Sequence, residues 1–129
     1  MSKKAFEEYV DDFLTGVLKT INVDYSKPAQ VRENNKGTDM YRLSAKRINR
    51  YYPDRIKDFA NLLNSDKPKV RLCCAVCLIE LCDISQDLCQ KALLIIQEKI
   101  DNGTSFDRFV WSTWIESNSS KIAARKSHS

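Results

Sequence analysis

The chain has 129 residues, with 21 Lys+Arg, 17 Asp+Glu, one His, five Cys and only three Gly and three Pro. That length suits one domain with an ordinary core, and so few turn residues argue against a β-sandwich or barrel, predicting an all-α fold. The net charge is +4, but Lys121, Arg125 and Lys126 lie in a polar stretch after Glu116. Without them 18 basic residues face 17 acidic ones, so the pI alone is a weak argument for nucleic-acid binding. The most apolar stretch, Leu72 to Cys82, falls short of the roughly 20 residues that span a bilayer. At the amino terminus Lys3 and Lys4 are followed by Glu7 and Glu8 instead of the apolar run of a signal peptide. These features predict a cytoplasmic protein without membrane contact. Five cysteines crowded between Cys73 and Cys89 do not form a secreted disulfide framework.

Phe6, Tyr9, Val10, Phe13, Leu14, Val17, Leu18 and Ile21 repeat at helical spacing and predict a first helix over roughly residues 3 to 21. Gly16 within it costs about 1 kcal/mol unless a neighbour needs close approach. Ser26 ahead of Pro28 is a candidate cap for a second helix. That helix runs either from about 27 to 52, or only from Thr38 onward if the loop-like Asn34-Asn35-Lys36-Gly37 interrupts it. Its inner stripe is Tyr41, Ala45, Ile48 and Tyr52. A third helix is expected over 54–64 with Ile56, Phe59, Ala60 and Leu63 inward. After the turn Asn64 to Pro68, a fourth spans about 68–82 with a stripe of Val70, Cys74, Cys77, Leu78 and Leu81. A fifth is expected over 86–101, and a sixth over 105–116, capped by Thr104 or Ser105 and with Phe106, Phe109, Val110, Thr113 and Trp114 inward. Residues 1–116 form one helical domain on this reading, and 117–129 a frayed, basic tail.

The third and fourth helices make one hairpin and the fifth and sixth another, with Asp54 onward aligning to Asp87 onward at low identity. In the first hairpin Leu62-Leu63, Asp66 and Val70-Arg71, then Cys74, Ala75, Cys77 and Leu78, resemble the HEAT repeat. The resemblance implies an α-α superhelix of two HEAT-like hairpins preceded by two helices. It also implies turn-bonding roles for Asp66 and Arg71, and close helix approach at the small residues. Residues 34–116 further resemble short bacterial HEAT-like proteins, some of them immunity proteins of polymorphic toxin systems. That implies a toxin as partner.

No catalytic, cofactor or metal constellation stands out. Cys74-x-x-Cys77 has the spacing of a redox or zinc half-site, but without a second ligand pair the cysteines read as small packing residues. His128, the single histidine, lies next to the end, where no neighbour can position it as a base. No phosphate loop or nucleophile motif is present, so the chain reads as a non-enzyme. The best surface is Arg42, Lys46, Arg47, Arg50 and Arg55 with Tyr51: residues 32–57 hold eight Lys/Arg against three Asp/Glu. Its bland reading is a solvated face offset by the acidic first helix. Its functional readings are an acidic protein partner and, as the alternative, nucleic acid. Trp111 is a further candidate contact, at the end of a stack where a partner or a second copy docks, so both monomer and homodimer are compatible.

Overall fold

A computed structural model describes residues 3–126. Among them all regular structure is helical: α1 (Phe6–Leu18), α2 (Pro28–Tyr51), α3 (Ile56–Phe59), α4 (Pro68–Leu81), α5 (Gln86–Asn102), α6 (Ser105–Ser117) and α7 (Ser119–Lys126), with 3₁₀ turns at Pro53–Arg55 and Ala60–Asn64. Among the described residues no helix is long and apolar enough to cross a membrane. His128 lies outside the described residues. The chain divides between Phe59 and Ala60 into two compact units.

In the first unit α1 lies along α2. Phe13, Val17, Ala45, Ile48 and Phe59 are fully buried, and Phe13 meets Tyr41 and Phe59 edge-on, with ring centroids 5.6 and 5.0 Å apart. The α1–α2 crossing is set by two buried glycines. A Cβ on Gly16 would lie 2.7 Å from the Gly37 carbonyl oxygen, and one on Gly37 would lie 2.5 Å from that of Gly16. The loop-like tetrapeptide ending in Gly37 is therefore helical, because tertiary contact outweighs weak local propensity. α1 itself is shorter than periodicity suggested. It ends at Leu18, which is 51% exposed, and Asn22 takes a left-handed φ of 58° in the connection, which asparagine tolerates. Ser26 does not cap α2: its Oγ and N donate to Asp24 Oδ1 at 2.6 and 3.0 Å, and Lys27 holds the cap position without a side-chain bond.

The expected helix over 54–64 is broken into a 3₁₀ turn, the four residues of α3 and a second 3₁₀ turn. A segment this short has little helical stability of its own, and its ends tighten to three-residue turns, as Arg55 N to Tyr52 O at 2.9 Å and Ser65 N to Leu62 O at 3.1 Å show.

In the second unit α4 is the central element. All seven residues from Cys73 to Ile79 are buried, so it is apolar all round instead of carrying a single stripe. α5 packs along it, with Cys89, Ala92 and Ile96 buried. Ser85 Oγ accepts from Leu88 N at 3.2 Å at the start of α5. At α6 a reciprocal capping box forms: Asp107 N donates to Thr104 Oγ1 at 3.1 Å and Thr104 N to Asp107 Oδ2 at 3.0 Å. These bonds hold the Asp107 carboxyl below its usual range.

Two expectations fail in this unit. Phe106 and Phe109 of α6 face outward at 74% and 71% exposure, and Thr113 is exposed. Apolar residues occupy more than one face of this helix, and Trp111, Trp114 and Ile115 take the packed side. There Trp114 Nε1 donates to Glu80 Oε2 at 2.9 Å, and the two indoles meet edge-on at 6.2 Å. The second failure is the expected frayed tail, most of which is α7. Ile122 is buried, and Arg125 donates to the Ile79 and Cys82 carbonyl oxygens at 3.1 and 2.7 Å, satisfying orphan acceptors at the end of α4.

The cysteines are buried thiols. Burial pushes the Cys74 thiol well above its ordinary value, and burial beside Asp83 pushes Cys82 up to about 12. A thiol whose pKa is raised by folding contributes stability that is intact below the unfolded-state value near 9 and lost as pH climbs from there toward 12. Urea midpoints should therefore fall between pH 8 and pH 10.5, and Cys74→Ala should make the fall shallower. In the native protein at pH 7.5 a thiol reagent should titrate all five cysteines only after denaturant is added. Rapid native labelling of Cys74 or Cys82 would contradict this burial.

Candidate protein interface

α2 is 24 residues long and polar, and only Gly37, Ser44, Ala45 and Ile48 are buried along it. Proline in its first turn starts the helix without a lost bond, and packing of its glycine-containing face on α1 keeps it continuous. Its opposite face is therefore presented to solvent over several turns. Met40, Leu43, Arg47 and Arg50 follow one another at three- and four-residue steps, with Lys46 beside them, so they share one side of the helix. Lys46 and Arg50 are exposed and Arg42 and Arg47 half-buried.

Acids answer several cations of the first unit, although Arg32 and Lys57, which are exposed and apart from the stripe, also make no ion pair among the described residues. Lys4 Nζ pairs with Asp12 Oδ2 at 2.9 Å. Lys19 and Lys36 share Glu33, at 3.0 and 3.6 Å, and the Lys19 ammonium holds the Glu33 carboxyl below its usual range. Arg55 is spent on Glu7 Oε1 at 3.1 Å and Asp58 Oδ2 at 3.0 Å, and its guanidinium lies 4.0 Å from the centre of the Phe6 ring. Among the described residues Lys46, Arg47 and Arg50 make no ion pair. The acids of α1 answer Lys4 and Arg55, not the α2 stripe.

The proposed set is thus divided by the structure. Arg42, Lys46, Arg47 and Arg50 lie on the outer side of α2. Arg55 lies in the 3₁₀ turn after it, held by acids. Tyr51 stacks on Tyr9 at 6.3 Å with planes 10° apart, while the Arg50 guanidinium sits 5.4 Å from its ring centre. One face of Tyr51 is thereby a packing surface. Trp111 belongs to the second unit and packs against Trp114.

The HEAT-type residues are placed as follows. Val70, Cys74, Ala75, Cys77 and Leu78 are buried in α4. Arg71 Nη1 donates to Ser65 O at 2.8 Å, a bond inside its own turn, and the exposed Asp66 makes no side-chain hydrogen bond among the described residues. The bonding between successive turns that the resemblance implied for these two residues is not seen.

Sequence reading passed over Met40 and Leu43. Leu43 is 45% exposed and out of register with the inner stripe Tyr41, Ala45, Ile48, and that mismatch is the signal that marks it. Comparison with protein-family models, with curated proteins and with solved structures finds no match.

Proposed function

We propose that this chain is a non-catalytic protein-binding module that docks an acidic protein surface through the outer face of α2. The observation that carries the reading is the clustering of Lys46, Arg47 and Arg50, none of them in an ion pair among the described residues, on one helix side beside an exposed Leu43. Clustered cations of this kind steer an acidic partner and fix its register, and Arg is prominent among residues that dominate interface energies.

Nucleic acid is the weaker reading. Single-stranded binding uses aromatic faces for stacking, and here Tyr51 is stacked on Tyr9 while Tyr52 packs edge-on against Phe6 and donates its hydroxyl to Lys4 O at 2.7 Å. A phosphate backbone also gains little from Leu43 and Met40. In the sharpest form of the proposal, suggested by the resemblance to HEAT-like immunity proteins, the partner is a bacterial toxin with an acidic surface. A nuclease toxin fits poorly, since its inhibitor would carry acidic charge to mimic the substrate.

The test is affinity capture from nuclease-treated lysate of the source cells, comparing the native chain with Lys46→Glu/Arg47→Glu/Arg50→Glu. The native chain should retain a stoichiometric acidic protein, and the triple variant should lose it. With the purified partner, the association rate should drop about tenfold or more at low salt and converge with native at high salt. Recovery that depends on nucleic acid would sink the reading.

A further inference from the structure

Lys4 ahead of α1, Asp12 in the middle of α1 and the middle of α2 line an open groove of about 380 Å³ within the first unit, at the small end of the ligand-pocket range. Its apolar lining is Met40 and Leu43, its cations are Lys4, Lys36 and Arg47, and its acids are Asp12 and Asp39. These charges are not equivalent. Asp12 is neutralised by Lys4 at 2.9 Å, and Lys36 leans toward Glu33 at 3.6 Å, whereas Arg47 has no acid partner. From Arg47 the uncompensated charge continues along the helix to Lys46 and Arg50, away from Asp39. Along the groove α2 therefore presents Lys36 and Asp39 first, then the apolar Met40 and Leu43, and then the cations Arg47, Lys46 and Arg50.

We infer that this groove recognises a short segment of the partner in which one bulky aliphatic or aromatic side chain is followed by aspartates or glutamates. The apolar side chain seats on Met40 and Leu43, and the carboxylates run over Arg47, Lys46 and Arg50. Charge complementarity selects this occupant. The ungrouped positive charge repels a basic segment, and a purely acidic one leaves the Leu43 surface in water. Asp39 sets the polarity of the segment, because acids at the other end would face it. The inference rests on the protein-binding reading above and adds the specificity pocket to it.

The test uses two synthetic decapeptides on the full chain, one carrying a single leucine followed by four acidic residues and the other with that leucine replaced by alanine. A single-stranded oligonucleotide of equal charge serves as competitor. Methyl NMR follows Met40 and Leu43, and titration gives the affinities. The leucine peptide should bind about tenfold tighter than the alanine peptide and shift both methyl signals. Leu43→Ser, at an exposed position that leaves the fold intact, should erase that difference while keeping charge-driven binding.

Equal affinities, with the Met40 and Leu43 methyl signals unmoved, would overturn the pocket and leave the acidic-partner reading standing. Binding unaffected by Lys46→Glu/Arg47→Glu/Arg50→Glu, or no binding of either peptide, would overturn both. An oligonucleotide that perturbs Met40 and Leu43 more than the leucine peptide does would also overturn the pocket, in favour of nucleic acid.

Discussion

Gly37→Ala destabilises this protein by about 2 kcal/mol or more, although alanine is the better helix former. In an open helix the same change would stabilise by about 1 kcal/mol. Here the added methyl would lie 2.5 Å from the Gly16 carbonyl oxygen and 2.7 Å from Lys19 Cβ, and neither a backbone oxygen nor a Cβ can swing aside. α1 and α2 must separate, and overpacking of this kind costs typically about 1–3 kcal/mol or more. Gly16→Ala behaves alike, since its methyl would meet Gly37 O at 2.7 Å and Tyr41 N at 2.8 Å. The double variant loses less than the sum, because helices already pushed apart by the first methyl have room for the second. Equilibrium urea unfolding of the three variants measures this, and a Gly37→Ala protein more stable than native would refute the close crossing.

Phe13→Ala should destabilise the first unit by about 3–5 kcal/mol. The ring is fully buried and makes edge-to-face contacts with Tyr41 of α2 and Phe59 of α3, so its loss opens a cavity bordered by three elements. Aromatic pairs add about 0.5–1.5 kcal/mol beyond area burial, and both pairs vanish together. Phe13→Leu should recover more than half of the loss, since it refills most of the volume and forfeits only the ring geometry. A loss below about 1 kcal/mol for Phe13→Ala would mean that the site collapses around the deletion or that the ring is not packed as described.

Much of the architecture is legible in local pattern. Pro68 and the apolar run behind it mark α4 to within a residue. Ser85, Gly103 and Thr104 mark the ends of α5 and the start of α6, because capping and breaking are properties of a few neighbouring residues. The candidate surface is only half legible. The spacing of Arg42, Lys46 and Arg50 places them together on one helix, but whether a cation is available depends on acids distant in sequence. Arg55, similar in composition to its neighbours, is taken by Glu7 across 48 residues, whereas Arg47 and Arg50 meet no acid. Leu43 was invisible as a site residue because one exposed leucine on a polar helix is unremarkable until the groove beside it is seen.

By itself, then, the sequence determined that the chain is all-helical, where α4, α5 and α6 begin, and that the middle of the chain is basic. These follow from periodicity, caps and composition, which act within a turn or two. Only the tertiary structure decided that Gly37 lies inside a helix, which side of α6 turns inward, that Arg125 closes the end of α4, and that Lys46, Arg47 and Arg50 meet no acid among the described residues. Each of those outcomes is a competition between neighbours far apart in the chain: a glycine's missing methyl matters only where another backbone presses on it, and a charge is available only where no acid has been folded against it.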